Sequence, residues 1–489
     1  MKRKSELKYL LVVLCIMSLG LFLVYLSRID RDIAMILLTV DSIKDISGSF
    51  PSLFPDILYI PCYVGLFLLM HLYLRVKLPE ADPFILPVVG VLSGVGLVMI
   101  LRLSPDLAWS RNEAIQSILR HNPEASIKDN VLTLAQLGIK QFVSLVIGIL
   151  AMIIAINVFN QRVFSWISSK KYFWVFLSAM LIIMTLLFGT EVNKRSLWLF
   201  GFQTVELVKL LVLFFISAYI YEKGKGIVIY QQAGYRAWLS YAGPFVAMWF
   251  FALIPLFVQR DLGPTFLIFI VFLLMFYFAG NRNIVTIAFI VLIGIIGYVS
   301  YKVGYPSVVH ERFNAFFDPF GRSESMSRVL WSISSGGIFG SGIGYGQPYR
   351  IPVVQSDFNF AAIVEEMGFI GGISVVLCYV IFVHRCYRIS QQTANIYKRS
   401  LVCGITVMIG LQAFTIICGN LGVIPMTGIT LPFVSYGGSS MIINFLLIGI
   451  ILATGFPLSV TTISSPAFTF NKYSLSDVFN LEIAAVFIN

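Results

Sequence analysis

Charge is what this sequence has least of. Asp, Glu, Lys and Arg make up 12% of its 489 residues, against roughly 25% in an ordinary soluble domain. A water-exposed surface cannot be built from so little, which excludes a free-standing soluble globule. Cysteine is also scarce. The six present (Cys15, Cys62, Cys378, Cys386, Cys403, Cys418) form no CxxC pair and no metal-ligand spacing, so neither a disulfide framework nor a structural zinc site is expected. The formal net charge is +11, yet no basic patch interleaved with aromatics stands apart from the apolar runs. That excludes nucleic acid and leaves anionic lipid as the partner of the excess charge. Met1-Lys2-Arg3-Lys4 and the apolar stretch after it lack a small-residue cleavage site and are read as a retained first helix, not a signal peptide. Nor is there an internal repeat of the kind that marks transporters.

What is abundant is apolar surface. Hydrophobic residues make up 58% of the chain, Phe alone numbers 42, and the mean hydropathy is +0.87. Runs long enough to cross a bilayer fall near 8–27, 55–74, 84–102, 136–158, 172–189, 203–221, 241–258, 263–279, 283–301, 359–383, 401–418 and 436–455. The expected fold is therefore an all-α polytopic membrane protein of about twelve transmembrane helices. An even count puts both termini on one side, and Lys2, Arg3, Lys4 and Lys8 place that side in the cytoplasm. The same orientation makes cytoplasmic the clusters Arg75/Lys77, Arg162/Lys170/Lys171, Lys223/Lys225/Arg236, Arg282 and His384/Arg385/Arg388/Lys398/Arg399. Two long loops then lie outside, 103–135 and 302–358, the second carrying Arg312, Arg322, Arg328 and Arg350. These arginines are either neutral to topology, as charges in long loops often are, or they meet an anionic ligand.

Polar residues at the edges of spans carry the chemical information, because an ionisable group in hydrocarbon is costly without a partner. Glu206 and Lys209 stand three apart at the head of a span, on one helix face. A structural ion pair accounts for them. In Gln259-Arg260-Asp261-Leu262-Gly263-Pro264, Asp261 suits the cap of the next helix. Asp318-Pro319-Phe320-Gly321, on residue types alone, starts a turn. The glycines between Gly336 and Gly344 permit close backbone approach to a ligand, or a compact loop. Ser356-Asp357-Phe358 leads into a helix with Glu365 and Glu366. Pro425 to Ser440, with Ser435, Gly437 and Gly438, is non-helical backbone at a span's edge, tolerated only inside protein or along a wet cavity.

The order of these motifs resembles the SEDS family (shape, elongation, division and sporulation), peptidoglycan polymerases that include RodA and FtsW. The resemblance runs from about residue 84 to 455 and is most specific in Pro425 to Ser440. Asp357-Phe358 with Glu365-Glu366-Met367-Gly368 is similar to the family's TDFIF…EELG segment, Gln259 to Gly263 to its QPDLG turn, and Gln203 to Lys209 to its QPSELAK helix start. Asp318 to Gly321 matches its DPFG. Departures are Thr204 and Val205 in place of Pro and Ser, Arg260 in place of Pro, and Ser323 to Arg328 where GYQ usually follows. The chain thus looks like a divergent member, with residues 1–80 a two-helix extension, 81–456 a ten-helix catalytic core and 457–489 a cytoplasmic tail.

The resemblance implies a peptidoglycan glycosyltransferase in the bacterial cytoplasmic membrane that polymerises lipid II at the outer face and releases undecaprenyl diphosphate. It makes Asp318 the essential carboxylate and general base. Substrate contacts are then expected from Arg312, Arg322, Gln259, Asp261, Asp357, Ser435, Gly437 and Gly438, with Glu206, Lys209 and Glu366 structural. A divalent cation, Mg or Mn, suits the diphosphate, although no ligands for one can be named. The implied partners are a class B penicillin-binding protein, since the chain has no transpeptidase domain, and other elongation or division proteins. Two alternatives remain open, a lipid II flippase and a catalytically silent scaffold of a cell-wall complex.

Overall fold

The computed structural model describes residues 2–38, 57–121, 134, 136–192, 195–199, 201–229, 262–280 and 283–454. Among them are fifteen α-helices and one small antiparallel sheet. Helices α1 (Lys2–Leu38), α2 (Tyr59–Lys77) and α3 (Ile85–His121) are followed by α4 (Leu137–Val158), the short α5 (Gln161–Ser169) and α6 (Lys171–Phe188). After the sheet come α7 (Thr204–Ile229), α8 (Leu262–Gly280) and α9 (Asn283–Val303). Three short helices, α10 (Ser307–Phe317), α11 (Pro319–Arg322) and α12 (Glu324–Ser335), precede the long α13 (Asn359–Gln392), α14 (Ile396–Asn420) and α15 (Gly438–Thr454).

Eight of the described helices are long and apolar enough to cross a membrane, and they coincide with eight of the twelve expected runs. Of the other four runs, α8 and α15 are shorter apolar helices, and α9 forms with α10 a pair bent by 95°. The run at 241–258 lies outside the described residues, as does the tail from 455. Helices α3, α7 and α14 are enclosed by the others, whereas α1, α4 and α6 turn large apolar side chains such as Ile16, Ile154 and Phe176 outward. That arrangement is unfavourable in water and natural in lipid.

Three expectations are corrected. The stretch 103–135 is not a loop throughout, because α3 continues to His121. At 37 residues α3 is about 55 Å long, well beyond the roughly 30 Å of bilayer hydrocarbon. It does so through Pro105, whose ring nitrogen cannot donate to the carbonyl of Leu101, four residues back. The Arg28 guanidinium on α1 donates to that carbonyl instead, so the orphaned acceptor is satisfied across a helix interface. The stretch 302–358 is likewise largely helical, as α10, α11 and α12. The all-α expectation also misses a small sheet, in which β1 (Thr190–Val192) pairs with β2 (Arg195–Leu199), and β2 with β3 (Phe202–Gln203). Gly201, at φ +77°, supplies the left-handed residue that turns the chain from β2 into β3.

The first two helices are packed onto the rest. The Tyr63 hydroxyl donates to the Gly90 carbonyl of α3, and α1 and α2 are joined by a buried Glu6 to His71 contact of 3.0 Å. Gly94 of α3 leaves room for Met17 and Tyr63, which a Cβ there would meet at 2.5 and 2.8 Å.

Candidate functional site

Most of the sequence-predicted site residues gather at the end of the bundle that carries the predicted outer loops, hereafter the outer end. Asp318 sits where α10 ends and α11 begins, and serves both. It is the C-cap residue of α10 and the N-cap of α11, with Oδ1 accepting a 2.9 Å hydrogen bond from the Gly321 amide. Pro319 takes the first helical position, where its missing N–H costs nothing. Gly321 has a steric reason, since a Cβ there would run into the Asp318 carboxylate. Arg322 approaches Asp318 Oδ2 at 3.8 Å, the side chains being 62% and 52% exposed, and also donates to Asn314 Oδ1 at 3.3 Å. The neighbouring Phe317 and Phe320 are themselves exposed and do not cover the carboxylate. The acid stands on an open turn beside a guanidinium.

Arg312 points the other way, into the irregular segment before α15. Its guanidinium donates to the Met426 carbonyl and lies against Gly428, where a Cβ would collide with it and where φ is +68°. Backbone and hydroxyl groups of this segment are satisfied by protein on several sides. Gln412 donates to the Thr430 carbonyl at 2.8 Å, and Tyr379 donates to the Pro432 carbonyl. The Tyr436 amide donates to the Gln355 carbonyl at 2.8 Å, and Thr430 and Ser440 share a 2.9 Å hydroxyl pair. Ser435 is buried, and its Oγ accepts from the Leu431 amide at 3.1 Å. Gly437 packs against Thr430, and Gly438, which opens α15, against Ser144. These three residues help hold the segment in shape at the edge of a span, where irregular backbone needs protein partners.

Asp357 accepts from the Ser356 hydroxyl at 2.8 Å, and its carbonyl accepts from Asn420 of α14 at 3.0 Å. Gln259 and Asp261 lie outside the described residues. Their near neighbour Gly263 touches the same segment, since a Cβ on it would strike the Thr427 carbonyl.

Glu206 and Lys209 form the expected pair, 2.7 Å apart and almost fully buried. Lys209 also donates to Gln412 Oε1 at 3.0 Å, so α7, α14 and the irregular segment are tied through one chain of polar groups. Removing either charge alone strands the other in a dry site, a loss of about 3–5 kcal/mol for a buried pair. In thermal-melting measurements, Glu206→Gln and Lys209→Met should each destabilise strongly, and the double change less than the sum of the two. Strict additivity would show that the pair does not couple.

Sequence reading missed Arg102. It is 1% exposed, donates to the carbonyls of Gly344 and Gly346 at 3.2 and 3.1 Å, pairs with Glu366 at 3.0 Å, and also binds Asp106. Around it the glycine-rich stretch after α12 wraps the first turns of α13. The Ser341 and Gly342 amides donate to the Glu365 and Glu366 carbonyls at 2.9 and 3.0 Å. Gly344 donates to Glu366 Oε2 at 3.1 Å, and Gln347 to Glu365 Oε1 at 2.6 Å. Gly368, at φ +70° and ψ −174°, breaks α13 so that the loop backbone can lie against it. The available signal was an arginine at the last position of the apolar run 84–102, where a charge needs a buried partner.

No group of three or more His, Cys, Asp or Glu side chains converges among the described residues. The divalent cation expected at the diphosphate would draw its remaining ligands from the substrate's own oxygens and from water.

With this geometry in place, similarity to known proteins is informative. A family model described as cell cycle protein, spanning FtsW, RodA and SpoVE, matches residues 124–455. Over 408 residues the chain is 30% identical to the peptidoglycan glycosyltransferase RodA of Mycobacterium tuberculosis, covering 80% of this chain and 81% of that protein. Its fold is similar to a chain from a peptidoglycan synthase complex that coordinates polymerization and crosslinking (TM-score 0.54, 20% identity, 74% of this chain and 96% of that one). It is also similar to a point mutant of the rod shape determining protein RodA of Thermus thermophilus (TM-score 0.51, 20% identity, 77% and 97%).

Proposed function

From the premise that this chain belongs to the FtsW, RodA and SpoVE family of cell cycle proteins, we propose that it polymerises lipid II with Asp318 as general base. It is a multi-span membrane protein and a peptidoglycan glycosyltransferase. The observation that carries the residue-level reading is the Asp318 turn. Gly321 gives the carboxylate room, the cap to the Gly321 amide uses Oδ1, and among the described residues Oδ2 meets only the more distant Arg322. A half-exposed carboxylate on a fixed turn suits proton removal from a sugar hydroxyl delivered by a large lipid-linked substrate.

The reaction needs little more than position and charge. The acceptor hydroxyl attacks the anomeric carbon of the donor sugar, its proton passes to the Asp318 carboxylate, and the bond from that carbon to the diphosphate breaks, releasing undecaprenyl diphosphate. The leaving group takes up negative charge, which Arg322 and Arg312 are assigned to oppose. Arg312 reaches from α10 to the irregular segment at Met426 and Gly428, the segment to which Ser435 and Gly437 also belong. Asp357, Asp261 and Gln259 are assigned to substrate contact. The class B penicillin-binding partner, which supplies crosslinking, belongs to this reading, as do other elongation or division proteins.

The reading requires the outer end to face away from the cytoplasm, with both termini inside. A cysteine introduced by Ser323→Cys, in a background lacking the native cysteines, should react with an impermeant maleimide on intact cells. Reaction only after permeabilisation would reverse the orientation. The chemistry itself is tested with purified protein and lipid II, first in detergent and then in liposomes. Glycan product supports the polymerase, translocation without product the flippase, and neither outcome the scaffold.

A further inference from the structure

At the opposite end of the bundle, where α13 finishes, lies a cavity of about 480 Å³. The α2 to α3 turn, the start of α5, the ends of α13 and α15 and the start of α14 line it. It plays no part in the reading above, and its charges are unevenly matched. Arg385 is fully engaged, with Nε donating to Asp82 Oδ2 at 2.9 Å, Nη2 donating to the same oxygen, and the guanidinium 4.6 Å from the centre of the Phe84 ring. Asp82 is satisfied in turn, since its other oxygen accepts from the Phe84 amide at 2.9 Å. Glu80, the second acid of the lining, is also partnered.

Two cations on the lining are not matched in this way. Neither Arg388 nor Lys398 forms an ion pair among the described residues, and the Lys398 ammonium rests 4.6 Å from the centre of the Phe164 ring. Lys398 stands in the first turn of α14, so the positive end of that helix's dipole opens on the same space. The rest of the lining is mixed, with Ile389, Ile451 and Leu452 almost wholly buried and the polar Gln161, Gln392 and Thr454 among them. Two unmatched cations and a helix N-terminus, at the end of membrane-spanning helices, match a ligand that carries a phosphate.

We propose that this cavity is a binding site for a phosphate-bearing anion, with Arg388 and Lys398 as its phosphate contacts and a phospholipid headgroup or a soluble phosphate ester as the source. The site is separate from the glycan-forming end and does not depend on the activity assigned there. It also gives part of the chain's excess positive charge a specific use.

The test uses the full-length protein in detergent, with native mass spectrometry counting retained lipid. Wild type should retain phosphatidylglycerol about thirtyfold more strongly than phosphatidylcholine, the scale set by two cations near an anionic lipid headgroup. Arg388→Gln with Lys398→Gln should remove that preference, and Arg388→Lys with Lys398→Arg should keep it. Melting in phosphatidylcholine alone checks that each variant is folded, and should the double change not fold, either single Gln variant carries the same comparison. A thermal-shift arm with glycerol phosphate separates the sources. Stabilisation of wild type but not the Gln variant by that soluble ester assigns the site to a free phosphate compound, while stabilisation by phosphatidylglycerol alone assigns it to lipid. Equal phosphatidylglycerol retention by wild type and a folded Gln variant would overturn the proposal.

Discussion

Asp318→Asn should abolish glycan synthesis from lipid II while leaving the amount of protein, its melting temperature and its lipid II binding close to wild type. The geometry makes this substitution unusually clean. The native side chain caps α11 through Oδ1 to the Gly321 amide, and asparagine is as good an N-cap as aspartate. The turn therefore survives while the basic oxygen is lost. Loss of a general base lowers the rate by about 10²–10⁴-fold, enough to take product below detection in a gel assay. Asp318→Ala is the contrasting variant, because it also removes the cap, at about 1 kcal/mol, and should lower the melting temperature as well. Near-normal product from Asp318→Asn would sink the assignment. If instead Asp357→Asn alone were silent, the base would move to the acid that Ser356 now holds at 2.8 Å.

The second large effect is on folding. Arg102→Met should leave little folded protein, because Glu366 and Asp106 both pair with that guanidinium and Glu366 is 1% exposed. Stranding a buried carboxylate costs about 3–5 kcal/mol, and two loop carbonyls lose their donor as well. Adding Glu366→Gln to Arg102→Met should recover part of the loss, since the deepest acid then needs no counter-charge. Arg102→Lys keeps the charge but cannot reach Glu366, Asp106 and two carbonyls with one ammonium group, so it should fall between. Recovery of folded protein is read by fluorescence-detected size-exclusion chromatography with increasing temperature. A wild-type profile for Arg102→Met would show that the loop over α13 is held by its own backbone bonds alone.

Part of the fold was legible because bilayer physics acts on composition. A stretch of some twenty residues without charge has one stable environment, so most spans could be placed without knowing what they touch. The Glu206 and Lys209 pair was legible because its partners are three residues apart on one helix. The course of α3 past Pro105 was not, because the Arg28 group that replaces the missing hydrogen bond comes from another helix. The sheet at residues 190–203 was missed for a related reason, since its strands are too short for a periodic signal.

The candidate site divides in the same way. The motif order, from Gln203 through Asp318 to Ser440, pointed to the right family from the sequence alone. What each residue does locally required the structure. Ser435 proved to be a clasp within its own segment, Arg312 an anchor for that segment, and Asp318 an exposed cap.

By itself, then, the sequence determined that this chain lives in a membrane, where most of its spans fall and which family of enzymes it joins, because hydropathy and local motifs act over a few tens of residues at most. Only the tertiary structure decided which charges are neutralised and which stand open. Arg102 is spent on Glu366, Asp106 and a glycine-rich loop, and Arg385 on Asp82, while Arg388 and Lys398 meet no carboxylate among the described residues. A charge buried among apolar helices must be matched by whatever the fold brings beside it, and that match is made in space, between residues that the sequence keeps far apart.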